Sequence, residues 1–176
     1  MSLNSFSYSL PKQLDAALNA SLAEWGQHGQ IARVWAHDPS VWTGEDENKW
    51  LAWLDVVDEQ LAETDKYKAL RADIESAGFT DVLLMGMGGS SLCPEVLAFT
   101  FGKTNFHILD STVPAQIKTV ENKIDLATTL FIVASKSGWT REPNCFKQFF
   151  FDGVAKRVGR DTAGRQRLAR NNTGWR

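Results

Sequence analysis

Residues 82–91 read Val-Leu-Leu-Met-Gly-Met-Gly-Gly-Ser-Ser, and this stretch decides the fold. A short apolar run closed by glycine has the character of a strand buried on both faces, as in a parallel sheet. The glycines that follow let the backbone adopt positive φ and approach a ligand closely. Reading forward, residues 93–101 form a helical pattern with Pro94 near its start. Residues 106–109 read as a second strand ending at Asp110, and 114–121 as a second helix. Residues 130–134 read as a third strand and 142–151 as a third helix. Strand, loop and helix repeated in this order predict right-handed crossovers and a parallel sheet.

Reading backward from Asp81, residues 1–80 are predicted to be helical. Leu14, Leu18, Leu22 and Trp25 recur at helical spacing behind Pro11, which suits a first-turn position. Trp50, Leu54, Val57 and Leu61 repeat the pattern behind the acidic residues 45–47, a favourable helix start. A third helix is predicted over residues 67–77, with Leu70 and Ile74 inward and Gly78 as its stop. Between the first two helices lies an irregular stretch holding Trp35, Pro39 and Trp42. The tryptophans at 25, 35, 42, 50 and 53 are expected to pack the helical layer, the competing reading being a binding face.

The 176 residues suit a single domain of ordinary size. Hydrophobic content of 43% and charged content of 23% are ordinary for a globular chain. The net charge of −2 predicts no attraction to nucleic acid or to an anionic membrane. Charge is unevenly placed, however. Residues 156–176 carry seven basic side chains against Asp161 alone, a net +6 that leaves −8 for the rest. Met1–Leu10 has neither the basic start nor the apolar core of a signal peptide, and no apolar run reaches the ~20 residues of a membrane span. Cys93 and Cys145 have no metal-like spacing and read as packing residues in a reducing cytoplasm.

Two loops at strand ends have phosphate-binding composition. Residues 86–91 offer glycine amides and the hydroxyls of Ser90 and Ser91. Residues 135–140 read Ser-Lys-Ser-Gly-Trp-Thr and offer three hydroxyls and one ammonium group. The helix behind them adds its positive dipole end. Adjacent parallel strands would bring both loops to one rim, where ligands bind in such sheets. A dinucleotide site competes, with Gly86 and Gly88 after a strand and Asp110 ending the next. Yet Ser91 stands where the third glycine of that fingerprint belongs. No Walker loop occurs. Glu142 reads either as a first-turn acid favoured by the helix dipole or as a group that orients catalysis. Lys136 reads either as a phosphate partner or as a solvated lysine. His28, His37 and His107 share no spacing with acids or cysteines and read as structural.

At these residues the chain resembles a known family. Residues 86–92 with Pro94 and Glu95, and residues 135–144, are similar to the two sugar-phosphate loops of glucose-6-phosphate isomerases. The likeness is strongest to the isomerase half of bacterial fused transaldolase–isomerase enzymes. It spans roughly residues 10–160. It implies that Ser90, Ser135, Ser137 and Thr140 hold the substrate phosphate, that Gly88 and Gly89 line the sugar, and that Lys136 supplies an amide. It also implies that Glu142 stands beside a ring-opening histidine. The implied reaction interconverts glucose 6-phosphate and fructose 6-phosphate, a glycolytic and gluconeogenic step, with no metal or organic cofactor.

This sequence departs from the family at Trp139, where a small residue or threonine is usual and where an indole would crowd the cradle. Arg141 and Cys93 also replace more usual choices. The family's proton-transfer glutamate, its ring-opening histidine, an arginine and a late lysine have no match in residues 161–176. The expected fold is α/β: a three-layer flavodoxin-like (sugar isomerase domain) parallel sheet, incomplete, with an N-terminal helical segment. Residues 1–80 form that segment and 81–160 the partial α/β domain. Residues 161–176 form a basic, disordered or non-native tail with no fourth strand, like a truncated or frameshifted end. An open sheet edge favours a homo-oligomer.

Overall fold

A computed structural model describes residues 7–165 and 169–170. These fall into two compact units that divide between Glu63 and Thr64.

The first unit is helical. Helix α1 spans Lys12–Gln27 and α2 spans Gln30–Trp35. Three 3₁₀ turns follow at Pro39–Val41, Glu47–Lys49 and Leu51–Leu54, and α3 covers Val56–Ala62. Two expectations are corrected here. The stretch around Trp35 is helical rather than irregular, because Gly29 takes φ +60 and restarts a helix that α1 had ended. The helix expected through Trp50 and Leu61 is broken. The Glu47 carboxylate accepts the amides of Thr43 and Glu45 and the Thr43 hydroxyl, so the acidic residues fold a tight turn instead of opening a helix. Among the described residues of this unit only Leu51 and Leu54 are buried apolar side chains. The tryptophans at 25, 35, 42, 50 and 53 are all exposed, so they do not pack a helical layer. The unit is held by polar turns: the Asp38 carboxylate accepts from the Ser40 amide and from Arg33 Nε, at 2.9 and 2.8 Å.

The second unit begins with α4, Thr64–Ser76, on which Leu70 is exposed and Ile74 half-buried. Strands β1 (Asp81–Gly86), β2 (Phe106–Leu109) and β3 (Thr129–Ala134) alternate with helices α5 (Gly89–Thr100), α6 (Pro114–Glu121) and α7 (Arg141–Val158). All pairings are parallel, in the order β2-β1-β3. Two residues, Ala169–Arg170, extend this order as β4 beside Ile132 and Val133. Strands 2-1-3-4 are the flavodoxin-like order. The fourth strand corrects the expectation that none follows. So does α8, Arg160–Arg165, which lies in the stretch expected to be a structureless tail. Two residues satisfying the open backbone edge of β3 are too short to leave a periodic signal. The rest of the tail lies outside the described residues.

Helix α5 starts four residues earlier than expected, so Pro94 sits inside it rather than near its first residue. The crossovers β1→β2 and β2→β3 run in opposite directions across the sheet. Right-handedness therefore puts α5 on one face and α6 on the other. The main core lies on the α6 and α7 face. There Leu83, Met85, Leu109, Phe131 and Val133 meet Val120, Ile124, Phe146, Phe150 and Val154. Phe146 and Phe150 are each 2% exposed, and each such side chain stabilises the fold by roughly 1.5–3 kcal/mol through burial.

Candidate functional site

The pairing of Gly86 with Ala134 builds the site. They are the last partners in the β1–β3 ladder, so the two loops leave the sheet side by side at its carboxyl end. Chain direction across the sheet reverses between β1 and β3. That makes this the topological switch point, the standard ligand position in doubly wound folds. A cleft of about 470 Å³ opens there, lined by Met87, Gly89, Ser90, Ala134, Ser135, Lys136, Ser137 and Thr140.

The first loop is short because Gly86 needs no room for a side chain. A methyl there would lie 3.1 Å from both Ser90 Cβ and the Ser90 carbonyl oxygen, and 3.2 Å from the Ala134 carbonyl oxygen. Gly88 takes φ +57 and ψ −124, a backbone region closed to most L side chains, and turns the chain into α5. The Ser91 hydroxyl, expected as a ligand donor, instead donates to the Gly88 carbonyl at 2.9 Å and is 1% exposed. It holds the turn. The amides of Ser90 and Ser91 likewise point back to the carbonyls of Met87 and Gly88.

The second loop folds around Ser135. Its hydroxyl donates to Thr140 Oγ1 at 3.2 Å and accepts from the Gly138 amide at 3.1 Å. The Ser137 hydroxyl accepts from the Trp139 amide at 3.2 Å, and Asn144 Nδ2 donates to the Thr140 carbonyl at 2.8 Å. Gly138 takes φ +73, which closes the loop. Thr140 occupies the N-cap of α7 without a side-chain cap bond, so the first-turn amides of an 18-residue helix lack a side-chain acceptor. An anion placed beside these hydroxyls would meet the helix dipole as well.

Of the expected site residues, the structure gathers Gly89, Ser90, Ser135, Lys136, Ser137 and Thr140 around one cleft. Gly88, the N-cap of α5, does not line it. Glu142 sits half-buried in the first turn of α7 and is not on the cleft wall. Met87 and Ala134 also line the cleft. Sequence reading left them out, because an apolar residue beside a glycine loop carries no chemical signal. The indole of Trp139 is 86% exposed and lines no part of the cleft, which overturns the expected crowding. Asp110 accepts from Gln116 Nε2 at 3.4 Å at the end of β2. His107 Nε2 lies 2.9 Å from Asp81 Oδ1 at the start of β1, the opposite end of the sheet from the cleft. Cys93 and Cys145 are exposed rather than packed. Among the described residues no three of His, Cys, Asp and Glu converge as a metal cluster. No helix among them is long and apolar enough to cross a membrane.

No family model matches the chain. Curated relatives do. One glucose-6-phosphate isomerase of Prochlorococcus marinus (strain MIT 9211) is 34% identical over 136 residues, which cover 70% of this chain and 24% of that protein. The chain is related to glucose-6-phosphate isomerases. A second one, from Nostoc punctiforme, is 45% identical over 71 residues, covering 37% of this chain and 13% of that protein. The chain spans about a quarter of the length of the first curated relatives it matches. Among solved structures, a hypothetical protein from Thermus thermophilus superimposes with a TM-score of 0.63 at 23% identity. The match covers 86% of this chain and 40% of that one, and supports the fold.

Proposed function

We propose that the chain binds a phosphorylated hexose, glucose 6-phosphate or fructose 6-phosphate, with the phosphate seated between the two loops. The observation that carries this is the side-by-side exit of the loops at Gly86 and Ala134, with Ser90, Ser135, Lys136, Ser137 and Thr140 among the residues that line one cleft. The proposed parent reaction is the aldose–ketose isomerisation of those sugars. It requires ring opening and then proton transfer between adjacent carbons by a positioned carboxylate. Glu142, in the first turn of α7 behind the second loop, is the carboxylate proposed to orient a partner in that step. Among the described residues no carboxylate lines the cleft. Binding without turnover is therefore the activity proposed for these 176 residues, and it equally suits a module that senses phosphosugars. The free thiols of Cys93 and Cys145 fit a cytoplasmic setting.

Calorimetric titration with glucose 6-phosphate, with glucose and NAD as controls, tests the binding. Heat with the phosphosugar alone is expected; equal response to glucose, or a response to NAD only, contradicts the reading. A coupled isomerase assay on the purified chain is expected to show no turnover above background. Robust turnover would place a base in the cleft that this account lacks.

A further inference from the structure

Strand β2 keeps one side open. In the order β2-β1-β3-β4, β4 covers the outer side of β3, whereas no strand among the described residues pairs with the outer side of β2. The Val82 amide donates to the Asn105 carbonyl at 2.9 Å, and Val82 is the register partner of Phe106. Successive residues of a strand turn their backbone groups to opposite sides. Asn105, His107 and Leu109 therefore bond toward β1, and the amides and carbonyls of Phe106 and Ile108 point outward. A groove of about 190 Å³ lies against this edge, walled by Glu95 and Ala98 of α5, by Phe106 and Ile108, and by Lys103 and Lys123. Lys103 stands just past α5 and Lys123 just past α6, and these helices cover opposite faces of the sheet. The two lysines thus flank the open edge from its two faces.

The chemistry of the edge limits what can cover it. Neither lysine has an acidic partner among the described residues, and Glu95 is the single acid on the groove wall. Lysine on an edge strand itself guards against pairing, but β2 reads Phe-His-Ile-Leu and carries none. A small inorganic anion would meet the lysines and leave the outward carbonyls of Phe106 and Ile108 unpaired. An extended peptide meets both, because its backbone supplies donors and acceptors in register. Successive side chains of such a strand point to opposite faces, so two adjacent acidic residues reach Lys103 on one face and Lys123 on the other. A second copy of this edge would bring two further lysines instead. We infer that the open edge of β2 takes up, as an added strand, an extended segment of a partner protein that carries adjacent acidic residues.

Amide chemical-shift mapping of the isotope-labelled intact chain, titrated with the end-capped hexapeptide TVEEVT, tests this. The pairing strand has only four residues, so a weak Kd on the order of 10⁻⁴ M is expected. Saturable shifts are expected at Phe106 and Ile108 and at the two lysines. The same peptide with alternate backbone nitrogens methylated keeps its charge and loses its donors, and is expected not to bind. TVKKVT is also expected not to bind. In the double variant Lys103→Glu, Lys123→Glu the preference is expected to invert, with TVEEVT weakened on the order of tenfold and TVKKVT now binding. A merely sticky surface gives neither the inversion nor the sensitivity to methylation. Circular dichroism identical to the parent confirms that the variant is folded. Absence of saturable shifts overturns the inference, as does equal binding of the methylated peptide or an unchanged preference in the double variant. Shifts of Phe106 and Ile108 on concentrating the chain alone would overturn it as well, since a second copy would then cover the edge.

Discussion

Replacing Gly86 with alanine is the sharpest steric test of the site. The added methyl would stand 3.1 Å from the Ser90 carbonyl oxygen and Ser90 Cβ and 3.2 Å from the Ala134 carbonyl oxygen. Unstrained contacts of this kind lie at ~3.5–4.0 Å. Two of the three neighbours are backbone oxygens, which have no rotamer to retreat into. One belongs to the first turns of α5, the other ends β3. Relief therefore requires lifting α5 or spreading β1 from β3 by a few tenths of an ångström, and either movement separates the two loops. Overpacking of this kind costs about 1–3 kcal/mol. With an m-value of roughly 2 kcal/mol/M, urea unfolding followed by circular dichroism should move its midpoint down by ~1 M. Gly88→Ala is the matched control. A methyl there meets nothing within 4 Å, but φ +57 strains it, so it destabilises by backbone conformation alone. Phosphosugar affinity should fall more in Gly86→Ala than in Gly88→Ala once both are compared at equal folded fraction. An unchanged midpoint and unchanged affinity in Gly86→Ala would refute the close-contact reasoning.

Three further outcomes follow from particular contacts. Phe150→Ala removes a ring 5.6 Å from that of Phe131 and 5.1 Å from that of Phe149, and should destabilise the α/β unit by about 3–5 kcal/mol in the same urea experiment. Ser135→Ala takes away the acceptor for the Gly138 amide and the donor to Thr140; the expected loss is about 1 kcal/mol of stability, with a larger loss of phosphosugar affinity by calorimetry. Asp38 and Glu47 titrate at about 2, held down by bonds from the Ser40 hydroxyl and Arg33 and from the Thr43 hydroxyl and amide respectively. Unfolded carboxylates titrate near ~4, so the unfolded chain takes up protons first. The stabilisation of these turns is thus full above ~4 and is lost as pH falls toward about 2. Tryptophan fluorescence, read at Trp42 and Trp50 beside the turns, should stay constant from neutrality to about pH 4 and change below it; a transition near neutrality would contradict the assignment.

The α/β half was legible because its elements are short, apolar and separated by glycine. Strand β2 and helix α6 carry the bounds read from sequence, and β1, β3 and α7 differ mainly by extension at their ends. The cleft was legible because chemistry in both loops is dense in hydroxyl and glycine. What the pattern hid was local. Gly29 and Glu47 redirected the chain through a positive φ and a side-chain bond, neither of which has a period. The tryptophans misled because apolar character was read as burial, whereas the first unit closes through carboxylate turns at Asp38 and Glu47. Ser91 was misassigned because composition does not reveal that a hydroxyl is already engaged by its own turn.

The central claim is that two loops, one after β1 and one after β3, form a single phosphosugar site. Amide chemical-shift mapping of the isotope-labelled chain during titration with glucose 6-phosphate tests it most directly. The account predicts saturable shifts confined to Gly88, Gly89 and Ser90 on one loop and residues 135–140 on the other, following one binding curve. Shifts in only one loop, or shifts centred away from both, would contradict it.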